Sequence, residues 1–184
     1  MILSHRRTFL ISTLVCGLLA LPTTQAGKHE PYMKFIGSFD GNTEITLSDG
    51  QKAERDLSVV VEETDDGFNI SWKTTTIRSS GRTKTKSYSI DFIPTKRDNI
   101  YSSAMKPNIF GGREALDPMK GDPYVWARIT GDTLTVFALV ISDEGDFEMQ
   151  RYDRTLSKEG IDLKFVRLDE EGVVKEITGK LTRK

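Results

Sequence analysis

Cysteine and histidine are almost missing: Cys16, His5 and His29 are the only ones in 184 residues. A lone cysteine leaves a disulfide framework without a second partner. Ser–His and Cys–His nucleophile pairs, and zinc or copper sites built on imidazole or thiolate, lack their reagents. No glycine motif of the phosphate-cradling kind follows a strand and opens a helix, so a nucleotide site of that type is not expected. No apolar run reaches the roughly 20 residues of a membrane-spanning helix. An excess of either charge is missing too, with 26 Lys and Arg against 27 Asp and Glu, which argues against a general nucleic-acid binder.

What is present at the start is the three-part layout of an export signal: Arg6 and Arg7, an apolar run from Phe9 to Leu21, then Thr24-Gln25-Ala26 before Gly27. Cleavage is expected after Ala26, with the mature chain in the periplasm. The stretch RRTFL is similar to a twin-arginine core, but paired arginines are ordinary in any basic leader, and the general secretory route is the expectation. Cys16 lies inside the apolar run behind Leu14-Val15, a poor context for lipid attachment, and leaves with the signal. Residues 27–184 then form one domain with no cysteine and a formal charge of −3, since the leader removes two arginines and no acids.

Turn chemistry sets the rhythm of that domain. FDGN, SDGQ, TDDGF, RSSGR, ITGDT, SDEGD, SKEGI and DEEGV centre on Gly41, Gly50, Gly67, Gly81, Gly131, Gly145, Gly160 and Gly172. Asp and Gly accept the backbone of tight hairpins, whereas the β-branched residues between them favour strands. Alternation gives the buried faces: Phe68, Ile70 and Trp72 share one phase, as do Tyr88, Ile90 and Phe92, Leu57, Val59 and Val61, and Ile161, Leu163 and Phe165. With no helical period and no βαβ unit, the fold predicted is all-β, an antiparallel up-and-down barrel of about ten strands, whose closure removes exposed edges.

Two stretches break the rhythm. In TLTVFALVI both phases are apolar, so Phe137, Leu139 and Ile141 need cover on the outer face of the barrel. Residues 94–123 are too long for a turn and carry Ile100, Tyr101, Met105, Ile109, Phe110, Leu116 and Met119. Long apolar loops in compact domains are functional more often than idle. The segment is read as a strap over the outer face or a lid over the mouth; Gly111-Gly112 suits a hinge and an ordinary turn equally.

The start of the domain, MKFIGSFDGNTEI, resembles the first strand of the calycin superfamily, the lipocalins and their relatives, through Gly37-Ser38-Phe39 in place of a Gly-x-Trp. The whole mature chain also resembles a family of uncharacterised secreted proteins of Gram-negative bacteria. The calycin resemblance implies an antiparallel barrel with an internal cavity for a small apolar ligand. The residues add a chemistry. In SWKTTTIRSSGRTKTKSYSIDF the even-numbered positions pass from aromatic (Trp72, Tyr88, Phe92, with Phe68 just before) to cationic at the tip (Arg78, Arg82, Lys84, Lys86). Such a face suits an anionic amphiphile, its tail on the aromatics and its head at the rim, although a solvated charged tip has the same pattern. Trp126 and Arg128 in YVWARI repeat aromatic-then-cationic, and Arg151 falls in phase with Phe147 and Met149 and so points inward if no bulge intervenes.

A carrier of a small apolar or anionic amphiphilic ligand is therefore the expected function, without a cofactor or metal. The alternatives are a non-catalytic envelope or interaction protein with a filled barrel, and an enzyme acting through carboxylates alone. DGNTE places Asp40, Asn42 and Glu44 like the start of a calcium loop, but the sixth position is Ile45 instead of glycine, and a turn is expected.

Overall fold

A computed structural model describes residues 30–47, 50–103, 106–107, 113–114 and 116–184. The export segment, Cys16, His29 and the expected strap or hinge residues Ile109, Phe110, Gly111 and Gly112 lie outside the described residues. In chain order the strands are β1 (Gly37–Thr46), β2 (Lys52–Thr64), β3 (Gly67–Arg78), β4 (Thr83–Pro94), β5 (Ile100–Ser103), β6 (Lys106–Pro107), β7 (Arg113–Glu114), β8 (Tyr124–Thr130), β9 (Thr133–Ile141), β10 (Phe147–Leu156), β11 (Gly160–Asp169) and β12 (Gly172–Arg183). All but β6 and β7, which pair only with each other, form a closed antiparallel barrel of ten strands in up-and-down order, with β12 returning to β1. Among the described residues no helix is long and apolar enough to cross a membrane.

Because successive strands alternate in direction, the connections sort to two ends. The turns after β1, β3, β9 and β11, and the connection from Ser103 to Tyr124, lie at one end. The turns after β2, β4, β8 and β10 lie at the other, with the start of β1 and the end of β12. Gly81 and Gly145 sit in the turns of the first end at φ of 77° and 95°, backbone that glycine adopts without a Cβ clash.

The inward phase is the one the alternation predicts. Phe68 pairs with Phe92, Ile70 with Ile90, Trp72 with Tyr88, Thr74 with Lys86 and Thr76 with Lys84. At the second end a 3₁₀ turn, Pro31–Phe35, inserts Tyr32 and Phe35 into the barrel as a plug. Tyr32 stacks on Phe68 with ring centroids 4.8 Å apart, Phe68 stacks on Phe92 at 5.3 Å, and Tyr101 meets Phe68 edge-on at 5.0 Å. Lys34 holds the plug in place through Asp132 and the Gly131 carbonyl, both at 2.7 Å. Aromatic pairs in these geometries add to the stabilisation from burial alone.

The segment 94–123 is not wholly strap. Ile100–Ser103 is a barrel strand between β4 and β8, and its Tyr101 is a buried core residue. Four residues are too few to display a period, which is why this strand reads as loop in the sequence. A second 3₁₀ turn, Pro118–Lys120, does pack against β9, but its Met119 is 78% exposed and covers nothing. Among the described residues, β8 contributes cover to the outer face of β9: its Trp126 lies flat on Phe137 at 4.9 Å and 13°.

The seam that closes the barrel depends on glycine. A side chain at Gly41 would place its Cβ 2.1 Å from the Lys180 carbonyl oxygen; in the adjoining β11–β12 pair, one at Gly160 would meet that of Leu181 at 2.2 Å. Arg183 then latches the last strand to the plug: its Nη1 donates to the Ile36 carbonyl at 2.6 Å, and its guanidinium lies 4.6 Å from the Phe39 ring centroid. Lys184 pairs with Asp40, whose carboxyl is held below its ordinary pKa chiefly by that hydrogen bond. Gly41→Ala is expected to lower the denaturant midpoint by the equivalent of about 1–3 kcal/mol, the range for forcing a methyl into packed surroundings. A midpoint equal to that of the parent protein in a urea titration followed by circular dichroism would refute the close approach.

Candidate functional site

Beyond the aromatic plug the barrel is open. A cavity of about 340 Å³ occupies the half nearer the first set of turns, in the size range of small-molecule sites. Its apolar wall is a contiguous aromatic chain running across the barrel. Tyr88 stacks on Trp72 at 5.0 Å and 22°, Trp72 meets Tyr152 at 5.4 Å, and Tyr152 meets Phe165 at 4.7 Å. A small second cluster, Ile45, Ala53 and Ile177 with Leu47 and Phe165, backs the wall on the β1–β2–β12 side.

The remaining lining is cationic. Among the described residues, eight Lys or Arg border the cavity and no Asp or Glu does. The deepest is Arg154, on β10 beneath Tyr152. It is 1% exposed, and its Nε, Nη1 and Nη2 atoms have no hydrogen-bond partner. Its guanidinium carbon lies 5.3 Å from the Trp72 ring centroid and 5.8 Å from that of Tyr152, within reach of cation–π attraction. Burial pushes its pKa down to about 10, against smaller upward contributions from Tyr152 and Asp153. It therefore stays charged at neutral pH in a place where charge is costly.

Nearer the mouth, Lys175 has its pKa lowered by burial first and then by Arg55, Arg167 and Lys86, so these four cations share one neighbourhood. Burial lowers the Arg55 pKa as well, and its Nε donates to Thr76 Oγ1 at 3.2 Å. Arg167 has one carboxylate nearby, Glu148 at 3.5 Å, while its Nε is buried without a partner. Glu148 also accepts from Gln150 Nε2 at 2.5 Å, and Tyr152 donates its hydroxyl to Gln150 Oε1 at 2.8 Å. This relay fixes the Tyr152 ring, and burial raises the phenol pKa to about 12. Among the described residues no group of three or more His, Cys, Asp or Glu stands where it could hold a metal ion.

Of the residues singled out in the sequence, Trp72, Tyr88, Arg78, Lys84 and Lys86 line the cavity. Phe68 and Phe92 point inward but are fully buried in the plug below it. Arg82 lies in the turn beyond the last pair of β3 and β4 and is outside the lining. Trp126 and Arg128 need correction: the inward phase of β8 belongs to Val125, Ala127 and Ile129, so both face outward, Trp126 on Phe137 and Arg128 at 5.6 Å from the same ring. Arg151 is also outward, paired with Asp153 at 3.1 Å, and the inward arginine of β10 is Arg154.

Sequence reasoning missed Arg55, Arg154, Arg167 and Lys175. Three of them were within reach, because Arg55 continues the phase of Leu57, Val59 and Val61, Arg167 that of Ile161, Leu163 and Phe165, and Lys175 that of Ile177. Arg154 needed the register of β10, where both phases carry aromatics. Comparison with family models, curated proteins and solved structures finds no match to this chain.

Folding drives the Arg154 pKa below its ordinary value, so the destabilising charge is fully present at neutral pH and is relieved only as pH rises past about 10. Arg154→Met is accordingly expected to stabilise the empty protein by on the order of 1–3 kcal/mol, as replacing buried charge with apolar volume does. A fall in the urea midpoint of this variant would show that the guanidinium is compensated.

Proposed function

We propose that this is an exported, periplasmic, lipocalin-like binding protein whose half-open barrel takes a small ligand with an apolar or aromatic body and an anionic group. The observation that carries the reading is the lining that the described residues form: eight cations, no carboxylate, and an aromatic wall between them, around a cavity open at one end. Like charges gathered on an inner surface repel one another and resist desolvation, and an anion relieves both costs. The leader-like residues 1–26 support export. The calycin resemblance at Gly37-Ser38-Phe39 supports a ligand inside the barrel rather than on its surface.

The open upper half favours this reading over that of a filled barrel acting through its exterior, whose support is confined to the plugged lower half. Mass spectrometry under native conditions of the protein purified from periplasm is expected to show a co-purifying anion.

In vitro, dodecanoate should quench or shift Trp72 fluorescence and dodecanol should do so far less. Lys84→Glu combined with Lys86→Glu should weaken dodecanoate binding by roughly 1–3 kcal/mol, the scale of charge-assisted hydrogen bonds. The loss should grow at low salt. An equal response of the acid and the alcohol to the double change would reduce the cationic rim to a solubility device.

A further inference from the structure

The order of side chains along each strand divides the cup into tiers. On β2, β4, β11 and β12 the inward residues Leu57, Tyr88, Phe165 and Ile177 belong to the apolar band. The next inward position toward the mouth on each of these strands is a cation: Arg55, Lys86, Arg167 and Lys175 respectively. On β10 the order is reversed. There Tyr152 belongs to the band, and Arg154 is the next inward position away from the mouth. The apolar band is thus held between one sealed cation below and a group of four above.

A ligand with a single anionic group fits this arrangement badly in either direction. Entering head first, it satisfies Arg154 and leaves its apolar end among the upper cations. Entering tail first, it satisfies the upper group and seals Arg154, already without a hydrogen-bond partner, under hydrocarbon. The first orientation displaces water from the cations at the mouth, and the second leaves the buried Arg154 without an acceptor; both are unfavourable. An anion at both ends of an apolar body removes the conflict.

We infer that the cup is built for a ligand with two anionic groups joined by an apolar or aromatic spacer, one oxyanion seated on Arg154 and the other on Arg55, Lys86, Arg167 and Lys175. This rests on the reading of the cup as a binding site. The guanidinium of Arg154 offers all its donors to a carboxylate or phosphate oxygen pair, the geometry for which arginine is suited. The Trp72 and Tyr152 rings flank it and hold the spacer, while the upper group, looser and partly hydrated, accepts a second group of either kind. The separation of the tiers then selects spacer length.

The test uses the linear α,ω-dicarboxylates from adipate to dodecanedioate, each beside the monocarboxylate and the ω-hydroxy acid of the same length. Binding is followed by calorimetry and by Trp72 fluorescence in a Trp126→Phe background, since Trp126 is the only other tryptophan. One diacid length is expected to bind about tenfold or more tighter than its monoacid, the ratio that one additional charge-assisted contact supplies. Arg154→Met and Lys175→Met should each bring that diacid down to the level of the monoacid, and the urea midpoint of each variant checks its fold. Monoacids that bind as tightly as diacids at every length would overturn the inference and leave the binding reading standing. If no acid of any kind binds, both fall together.

Discussion

Tyr32, Phe68 and Phe92 stack in one column across the closed end of the barrel, and the character of the other end follows from it. A ten-stranded barrel of this size encloses more space than its inward side chains fill unless large rings are supplied. The plug supplies them at one end, from a 3₁₀ turn that the strands alone do not provide. By excluding water from below, it converts Arg154 from a partly hydrated side chain into a sealed charge. Without the plug the same arginine would have solvent on the side away from the mouth, and the tiers above would lose their floor.

Charge in this protein is sorted by radius. The chain as a whole is nearly neutral, yet the described residues that line the cup include eight cations and no acid, with Glu148 paired to Arg167 at its edge. The balancing acids are placed on turns and outward faces, among them Asp143, Glu144 and Asp146 after β9 and Asp169, Glu170 and Glu171 at the end of β11. In the cyclic strand order, these two acidic tips flank the point opposite the basic β3–β4 hairpin with Arg78, Arg82 and Lys84. An arriving anion therefore meets a mouth with one attractive side and one repulsive side, which biases its approach along the β3–β4 wall.

Most of the barrel is legible in the sequence because its two signals are local. Gly-containing turns mark the strand ends, except at Gly41, which lies inside β1 where β12 approaches closely, and a period of two marks the faces, as the Trp72–Tyr88 and Phe68–Phe92 pairs show. What escapes is whatever depends on partners distant in the chain. β5 has four residues and acquires its strand identity from β4 and β8 on either side. Arg151 and Arg154 differ by an odd number of positions, and only pairing with β9 and β11 decides which is enclosed. Trp126 looks like a core residue by composition but lies outside, because Val125 and Ala127 take the inner positions and the double-sided apolar strand β9 needs an external cover. Net charge concealed the cavity for a similar reason: a sum over the chain carries no information about direction.

The seam between β1 and β12 joins the two ends of the described barrel, pairing Phe39 with Arg183 and Asp40 with Thr182. Every other barrel contact between neighbouring strands spans a hairpin or one longer connection, so it can form while the rest of the chain is still open. The seam cannot, since closing it carries the loop entropy of nearly the whole domain. Closing it is the costliest loop closure in the barrel, and topology of this kind slows folding. With the seam open, Arg167 and Lys175 already face each other across β11 and β12, while Arg55 and Lys86 lie on strands at the far side of the sheet. Closing the seam, with Gly41 allowing the backbones of β1 and β12 to meet, brings Arg55 and Lys86 against that pair. Part of the electrostatic work of assembling the cup therefore falls on that closure, and an anion seated among the four cations offsets it.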